Sequence, residues 1–417
     1  MIFFFWPGFM SPDAQGQLAQ AISGYYSDHH PPLMSMYWRL WLCWRQGPEP
    51  IFLTYQVLLF FSTYIFLRSF NDKKVAIIIP FIPLVPHILF YSGAIWKDVG
   101  FCFSYLCVAA LLTSSHLQNK PLALGTKIGI WFLLFFGTGV KYQAVFVLPI
   151  MAFWVATQIR LGRSIWTKTL VSLCIWASIT GGDYLVKRVF TTGVSESHSW
   201  QKVKLFDLAG ISVRLNEDLL PDFVQKNHHY SFQKVKEMYS PFRVDELLVG
   251  WSEKGSLIQG EIPEERDIVW NTWFKAVKNH PLLYLRHRAA VWKTMVYNSP
   301  VKSLDELKSV DALPPLIKHT LKKFERVLYF LKEATRFIYY VPLIFIYLIL
   351  GVLYFRRNST YAVPLIFMNL AGLSLMGALF IFSMASDLRY IYLTMTFLHF
   401  SHPLAWGTVF YGKKDKT

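Results

Sequence analysis

The feature that most restricts what this chain can become is a succession of apolar runs, each close to the length of a bilayer-crossing helix. Eight are continuous, at Pro50–Leu67, Val75–Tyr91, Val99–Ser115, Leu122–Gly137, Ala144–Gln158, Ile165–Val186, Ile338–Phe355 and Tyr361–Phe382. A ninth, Ile391–Tyr411, is interrupted by Pro403 and Gly407, which a membrane helix tolerates when its neighbours satisfy the freed backbone groups. About twenty apolar residues, rising roughly 1.5 Å each, cover the hydrocarbon layer of a bilayer. Inside that layer the backbone has no water to bond to, so a spanning segment satisfies its own N–H and C=O groups by coiling into a helix. With 53% of its 417 residues hydrophobic, the chain reads as an all-α polytopic membrane protein with about nine to ten transmembrane helices. The opening stretch Met1–Met10 is apolar but only half a span long. It lacks the basic n-region and small-residue cleavage site of a signal peptide, and reads as the outer half of a first helix, cut short or re-entrant.

The formal net charge of +16 would suit a nucleic-acid partner if the basic residues were gathered on one face. They sit instead at the ends of apolar runs, the positive-inside pattern that sets orientation, so no nucleic acid is expected. One set of connections carries Arg68, Lys73 and Lys74; Lys120 and Lys127; Arg160, Arg163 and Lys168; Arg356 and Arg357; and the tail lysines 413, 414 and 416. The alternate set holds Ser11–Glu49, the turns around Asp98, Lys141 and Asp387, and one large insert. This alternation assigns the first set to the cytoplasm and the second to the periplasm, exterior or lumen. Cys43, Cys102, Cys107 and Cys174 lie in or beside apolar runs with no metal-ligand spacing, and read as small hydrophobes.

The chain thus divides into an N-terminal transmembrane module, 1–186, with a first outer loop at 11–49; a mainly helical, outward-facing insert, 187–336; and C-terminal transmembrane helices, 337–417. In the insert, Trp200, Leu205, Phe206, Leu208 and Ile211 fit one buried face, and Trp270, Trp273, Phe274 and Val277 fit helical spacing. Asn279-His280-Pro281 breaks that helix, and Leu282–Trp292 restarts it with the basic triplet Arg286, His287, Arg288. A basic, aromatic helix of this kind either lies among lipid headgroups or packs on its own domain with its charges solvated.

Acidic residues near the spans fall on the outer side: Asp13, Asp28, Asp98, Asp183 and Asp387, against Asp72 and Asp415 on the other. Ionisable groups at membrane depth are costly and mark sites when retained; the alternative for each is simple balance of Lys97, Lys187 or Arg389. The most informative tract is Ser11–Trp44. Pro12 and the Pro31-Pro32 pair fix the local backbone, and between them lie Asp13, Asp28, His29 and His30. A carboxylate in a partly dry cleft accepts a proton from a hydroxyl as it attacks an activated carbon. Histidines and a basic group beside it hold an anionic leaving group, and a lipid phosphate is the anion at this depth. Lys97-Asp98 and Lys141-Tyr142, on the neighbouring outer turns, and Arg389 add phosphate-binding and orienting groups. Loop acids of this kind also suit a divalent cation, Mg or Mn, shared with substrate phosphates.

Ser11-Pro-Asp13, Ser27-Asp-His-His-Pro-Pro32, Trp96-Lys-Asp98, Phe206-Asp-Leu-Ala-Gly-Ile-Ser212 and His280-Pro-Leu-Leu-Tyr284 occur in this order along most of the chain. Together they resemble the GT-C glycosyltransferases, among them protein O-mannosyltransferases and lipid A aminoarabinose transferases, and more closely the polytopic GT-C-like proteins of bacteria. The resemblance implies transfer of a sugar from a polyprenyl-phosphate carrier to a glycan or lipid acceptor at the outer face of a bacterial plasma membrane, in the cell envelope. Asp13 then stands at the position of the family's catalytic carboxylate, with Asp28 as its rival. Where the family commonly has an Asp-Glu or Glu-Asp pair, this chain has Asp13 alone. Two other classes compete. A lipid-linked glycan polymerase or ligase would carry paired arginines in a large outer loop, which Arg286 and Arg288 match weakly. A transporter or flippase would show an inverted repeat and paired broken helices at mid-membrane; the sequence shows neither, and its charged residues cluster at the outer boundary rather than the bilayer centre.

Overall fold

The computed structural model describes residues 5–27, 30–159, 164–190, 200–226, 230–248, 265–298 and 333–411, with single positions at 319, 323 and 327. Among these, regular structure is helical throughout, and extended pairing is confined to two isolated bridges, Phe9 with Ala94 and Arg243 with Ala385. The helices used below are α1 (Pro12–Ser23), α2 (Leu33–Arg39), α3 (Glu49–Ser69), α4 (Lys73–Ala76), α5 (Pro86–Ser92), α6 (Lys97–Leu117), α7 (Leu124–Val140), α8 (Ala144–Gln158), α9 (Ile165–Phe190), α10 (Trp200–Leu215), α11 (Arg266–Asn279), α12 (Pro281–Tyr297), α13 (Val341–Tyr354), α14 (Ser359–Phe382) and α15 (Tyr392–Phe410).

Every apolar run becomes helical, but not every one is a full-length span. Among the described residues, five helices are long and apolar enough to cross a membrane: Glu49–Ser69, Lys97–Leu117, Ile165–Phe190, Phe337–Tyr354 and Ser359–Phe382. The run expected at Val75–Tyr91 is a broken pair, Lys73–Leu84 and Pro86–Ser92, bent by 47°; Pro80, Pro83 and Pro86 remove the donors that a straight helix needs. Counted as one span, it brings the number to six. Helices α7 and α8 are apolar but shorter. The expected half-helix at the N-terminus is not seen in its described part. Phe9 instead lies extended, its N–H donating to the Gly93 carbonyl (2.8 Å) while its own carbonyl accepts from Ile95 N (2.8 Å).

Helix α6 is the hub. Of its most apolar 18-residue stretch 83% is buried, against 11% for α9 at the periphery, and it packs on α3, α7, α8, α14 and α15. Small residues allow this closeness: a methyl group at Gly100 would lie 2.7 Å from the Tyr55 hydroxyl. Polar groups in this apolar setting are bonded to one another. His87 Nε2 meets the Thr335 carbonyl (2.7 Å), His399 Nε2 meets His87 Nδ1 (3.2 Å), His402 Nε2 meets His399 Nδ1 (3.3 Å), and Tyr347 meets His402 Nδ1 (2.6 Å). The carbonyl only accepts, so each ring in turn carries its proton on Nε2 and accepts at Nδ1. One directed chain thereby ties α5, α15 and α13 together.

A second apolar core lies within the insert, built from Leu205, Phe206, Leu208 and Ile211 of α10, Val269 and Ala276 of α11, and Val291 of α12. The expected faces hold in part: Trp273 and Val277 pack on this core, whereas Trp270 and Phe274 are about half exposed. The basic triplet behaves as neither sequence alternative supposed. Arg286 is exposed, but His287 and Arg288 are fully buried, because Asp207 is buried opposite them. Arg288 Nη2 lies 2.6 Å and His287 Nε2 3.2 Å from Asp207 Oδ1, while Trp273 Nε1 donates to Oδ2 (2.8 Å). Arg214 donates to the Tyr239 hydroxyl oxygen (2.9 Å), leaving the Tyr239 proton for His287 Nδ1 (2.7 Å). Desolvation lowers the His287 pKa and keeps the ring neutral, with its Nε2 proton toward Asp207. Gly210 is required here, since a methyl group would stand 2.1 Å from His287 Nδ1.

Arg288 also donates to the Ser383 carbonyl at the end of α14 (2.7 Å). Beside it, Val244 N donates to Met384 O (3.0 Å) and Ser386 N to Phe242 O (2.7 Å). The insert is therefore joined to the bundle by backbone pairing just ahead of Asp387 and Arg389. Removing one partner of a buried ion pair costs about 3–5 kcal/mol because the other charge is left uncompensated. Asp207→Asn should lower stability by about that much, read by denaturant unfolding of the detergent-solubilised chain through Trp fluorescence, and Asp207→Asn combined with Arg288→Met should recover part of the loss.

Candidate functional site

The site is assembled at one end of the bundle from four segments remote in sequence. Ser11 is the N-cap of α1, its hydroxyl accepting from Ala14 N (3.3 Å), and Pro12 occupies the first turn with Asp13 behind it. Ser-Pro-Asp is thus a helix-start signal, and it holds the Asp13 carboxylate at the positive end of a helix. The pairing of Phe9 with Gly93 and Ile95 sets this start beside Trp96, the residue that precedes α6, and so beside Lys97 and Asp98. Arg389 arrives on the 3₁₀ turn Leu388–Ile391, whose N-cap Asp387 accepts from Arg389 N (3.0 Å).

Three cationic or ionisable groups converge on Asp13. His30 Nε2 lies 3.6 Å from Asp13 Oδ1, and Arg389 Nη2 lies 3.5 Å from Oδ2. Lys97 Nζ is 2.8 Å from His30 Nδ1. As an ammonium Lys97 only donates, so His30 carries its proton on Nε2, toward Asp13. Arg389 is held by Asp387 (Nε to Oδ2, 3.0 Å) and stacks near the rings of Trp96 (5.0 Å) and Tyr390 (5.4 Å), aromatic faces that favour a guanidinium. The hydrogen bond from His30 is the main reason that Asp13 sits well below the usual carboxylate range. Burial opposes the shift, and the charges of Arg389 and Lys97 reinforce it. Burial alone would raise the pKa of such a carboxylate, and here the neighbouring donor and cations outweigh it.

Beneath this cluster, Asp98 and Lys141 form a closed pair: 2.5 Å apart, with side chains only 3–4% exposed. Lys141 also lies 4.5 Å from the Tyr390 ring. Their burial leaves no face to a substrate, so they serve as the floor of the site, and Asp98 pairs with Lys141 rather than with adjacent Lys97. Tyr142 lies to one side, its ring 4.8 Å from Lys187 Nζ, and Lys187 pairs with Asp183 (2.5 Å). Of the expected residues, Asp13, His30, Lys97 and Arg389 come together, Asp98 and Lys141 support them, and Tyr142 stands apart. Asp28 and His29 fall outside the described residues. Among the described residues, no group of three or more His, Cys, Asp or Glu side chains is placed to hold a metal ion.

Sequence reasoning missed Asp245. The backbone pairing of 242–244 with 384–386 carries it to the rim, within electrostatic reach of Asp13, Arg389 and Lys202. Burial raises its pKa, Arg243 opposes that, and Asp13 adds to it. Nothing local signals this position, because the contact that places it joins the insert to the last membrane segments. Trp96 was legible as part of Trp96-Lys-Asp98, but not as the ring on which Arg389 stacks. No family model, curated protein or solved structure matches the chain.

A carboxylate held lower in the folded than in the unfolded chain stabilises the fold fully above the unfolded value, about pH 4, and that contribution is lost as pH falls through the folded value. Asp13 is 41% exposed, so solvent screens the effect. The Tm of Asp13→Asn should therefore lie slightly below that of the parent at pH 6–7, with the gap closing below about pH 4; differential scanning fluorimetry in detergent measures it, and a gap that widens toward acid contradicts the assignment.

Proposed function

We propose that this chain is an inverting glycosyltransferase of GT-C type, moving a sugar from a polyprenyl-phosphate carrier to a glycan or lipid hydroxyl at the outer face of the plasma membrane. The observation that carries the reading is the convergence of His30, Lys97 and Arg389 on Asp13 at one mouth of an apolar helical bundle. In this reading the acceptor hydroxyl oxygen attacks the anomeric carbon. The bond from that carbon to the carrier phosphate breaks with its electron pair going to the phosphate oxygen, and the hydroxyl proton passes to Asp13. A low pKa leaves Asp13 ionised and available. Its weak basicity is matched by a hydroxyl that becomes strongly acidic as its bond to carbon forms, so the proton moves late. Lys97, His30 and Arg389 neutralise the departing phosphate by charge-assisted hydrogen bonds. The mechanism is written with this chain's own residues; where a divalent cation takes part, it adds to that neutralisation.

Two further observations favour the reading. Among the described residues, six spans with the broken pair counted as one become nine when α7, α8 and α15 also cross. The basic connections then all face the cytoplasm, and Asp13 faces outward, where lipid-linked sugars meet envelope acceptors. The ligase alternative loses its arginine pair: Arg288 is sealed against Asp207 while Arg286 points to solvent.

In a chain freed of its native cysteines, single cysteines at Ser27 and Ser359 should react with a membrane-impermeant reagent from opposite sides of the membrane; equal protection of both defeats the topology. Asp13→Asn keeps the shape of the residue but removes the proton acceptor, and should lower transfer about 10²–10⁴-fold while leaving donor binding intact. Transfer by purified protein from a polyprenyl-phosphate sugar measures it, and near-normal turnover would remove Asp13 from the role.

A further inference from the structure

At the end of the bundle opposite Asp13, a cavity of about 930 Å³ opens among the last turns of α6 and α8 and the first turn of α14. Lys97 begins α6 and His116 lies at its other end, so about 30 Å of helix separates this cavity from the Asp13 cluster. Its wall is apolar, with Phe153, Phe355 and Phe367, and its rim is cationic, with Lys120 and Lys168. Among the described residues neither lysine is paired with a carboxylate. The rim is held in place by its own bonds. His116 donates from Nε2 to the Ser359 carbonyl (3.1 Å) and accepts at Nδ1 from Gln158 (3.1 Å), and the Ser115 hydroxyl donates to the Lys120 carbonyl (2.6 Å). The Asn358 amide, just ahead of α14, donates to the Gly407 and Tyr411 carbonyls and makes no cap to that helix.

We propose that this cavity holds one anionic phospholipid, its phosphate between Lys120 and Lys168 and the upper part of an acyl chain against Phe153, Phe355 and Phe367. The cationic rim selects negative charge, and the aromatic wall at the membrane boundary selects an amphiphile over a soluble anion. A zwitterionic lipid brings its own cation against the lysines and is disfavoured. The volume suits a headgroup and the start of its tails, with the remainder of the chains in the bilayer. This site stands independently of the chemistry at Asp13.

Native mass spectrometry of the full chain, released from nanodiscs with equal fractions of phosphatidylglycerol and phosphatidylcholine, tests the proposal. One phosphatidylglycerol should be retained over phosphatidylcholine by about tenfold or more, as two lysines near an anionic headgroup warrant. Lys120→Gln with Lys168→Gln should bring the two lipids to parity, and Lys120→Arg with Lys168→Arg should keep the preference. Equal retention of the two lipids by the parent chain, which needs no variant to fold, overturns the proposal. So does an unchanged preference in the glutamine variant, or displacement of the retained lipid by millimolar inorganic phosphate, which would mark a site for the free anion.

Discussion

The closed ion pair of Asp98 with Lys141 is the interaction on which the arrangement of this molecule turns. It joins the first turn of the central helix to the connection between α7 and α8, and Lys141 reaches on to the Tyr390 ring. Three chain segments are thereby fixed at one level. Two charges removed from water cost several kcal/mol each, and are tolerated only as partners. Such a pair is weak as a source of stability and strong as a specifier of geometry: any other register of α6 against its neighbours would leave a bare charge in an apolar setting. Lys97, one residue before Asp98, inherits its position from that pairing, and His30 and Asp13 inherit theirs from Lys97.

The insert obeys the same rule. Asp207, His287 and Arg288 are three ionisable side chains without solvent access, and each is explained by the other two together with Trp273, Tyr239 and Ser383. The motif Phe206-Asp-Leu-Ala-Gly-Ile-Ser212 thereby acquires a physical content. Phe206 and Leu208 fill the core, Asp207 faces the arginine, Gly210 leaves room for the imidazole, and the Ser212 hydroxyl accepts from Leu219 N (3.0 Å). Inside the bundle the histidine chain from Thr335 to Tyr347 meets the same demand with neutral groups.

What was legible in the sequence was what is local. Apolar runs become helices because the backbone in an apolar medium has little alternative, and their ends fall near the expected residues. Ser11-Pro12-Asp13 was legible because a hydroxyl cap and a proline at the first turn are a short-range signal. His30, Lys97 and Arg389 were legible as a group because each stands next to an apolar run on the same side of the alternation. The burial of Arg288 was not, since nothing in Leu282–Trp292 reveals an aspartate some eighty residues earlier. The depressed pKa of Asp13 was not either, because proximity to the surface says nothing about which hydrogen-bond donor arrives. Pro80, Pro83 and Pro86 could have warned that Val75–Tyr91 would bend. The extended pairing of Phe9 could not be foreseen, because it depends on where Gly93 and Ile95 come to rest.

The backbone pairing of 242–244 with 384–386 has one more consequence, which is one of measure. Ala385, in the bridge with Arg243, is four positions from Arg389, and four residues stretched fully span at most about 14 Å. The insert is therefore a gauge block set against the mouth of the bundle, its edge never farther than that from the backbone of the arginine that faces Asp13. On that side a shift of the insert reaches Arg389 through only four residues of chain.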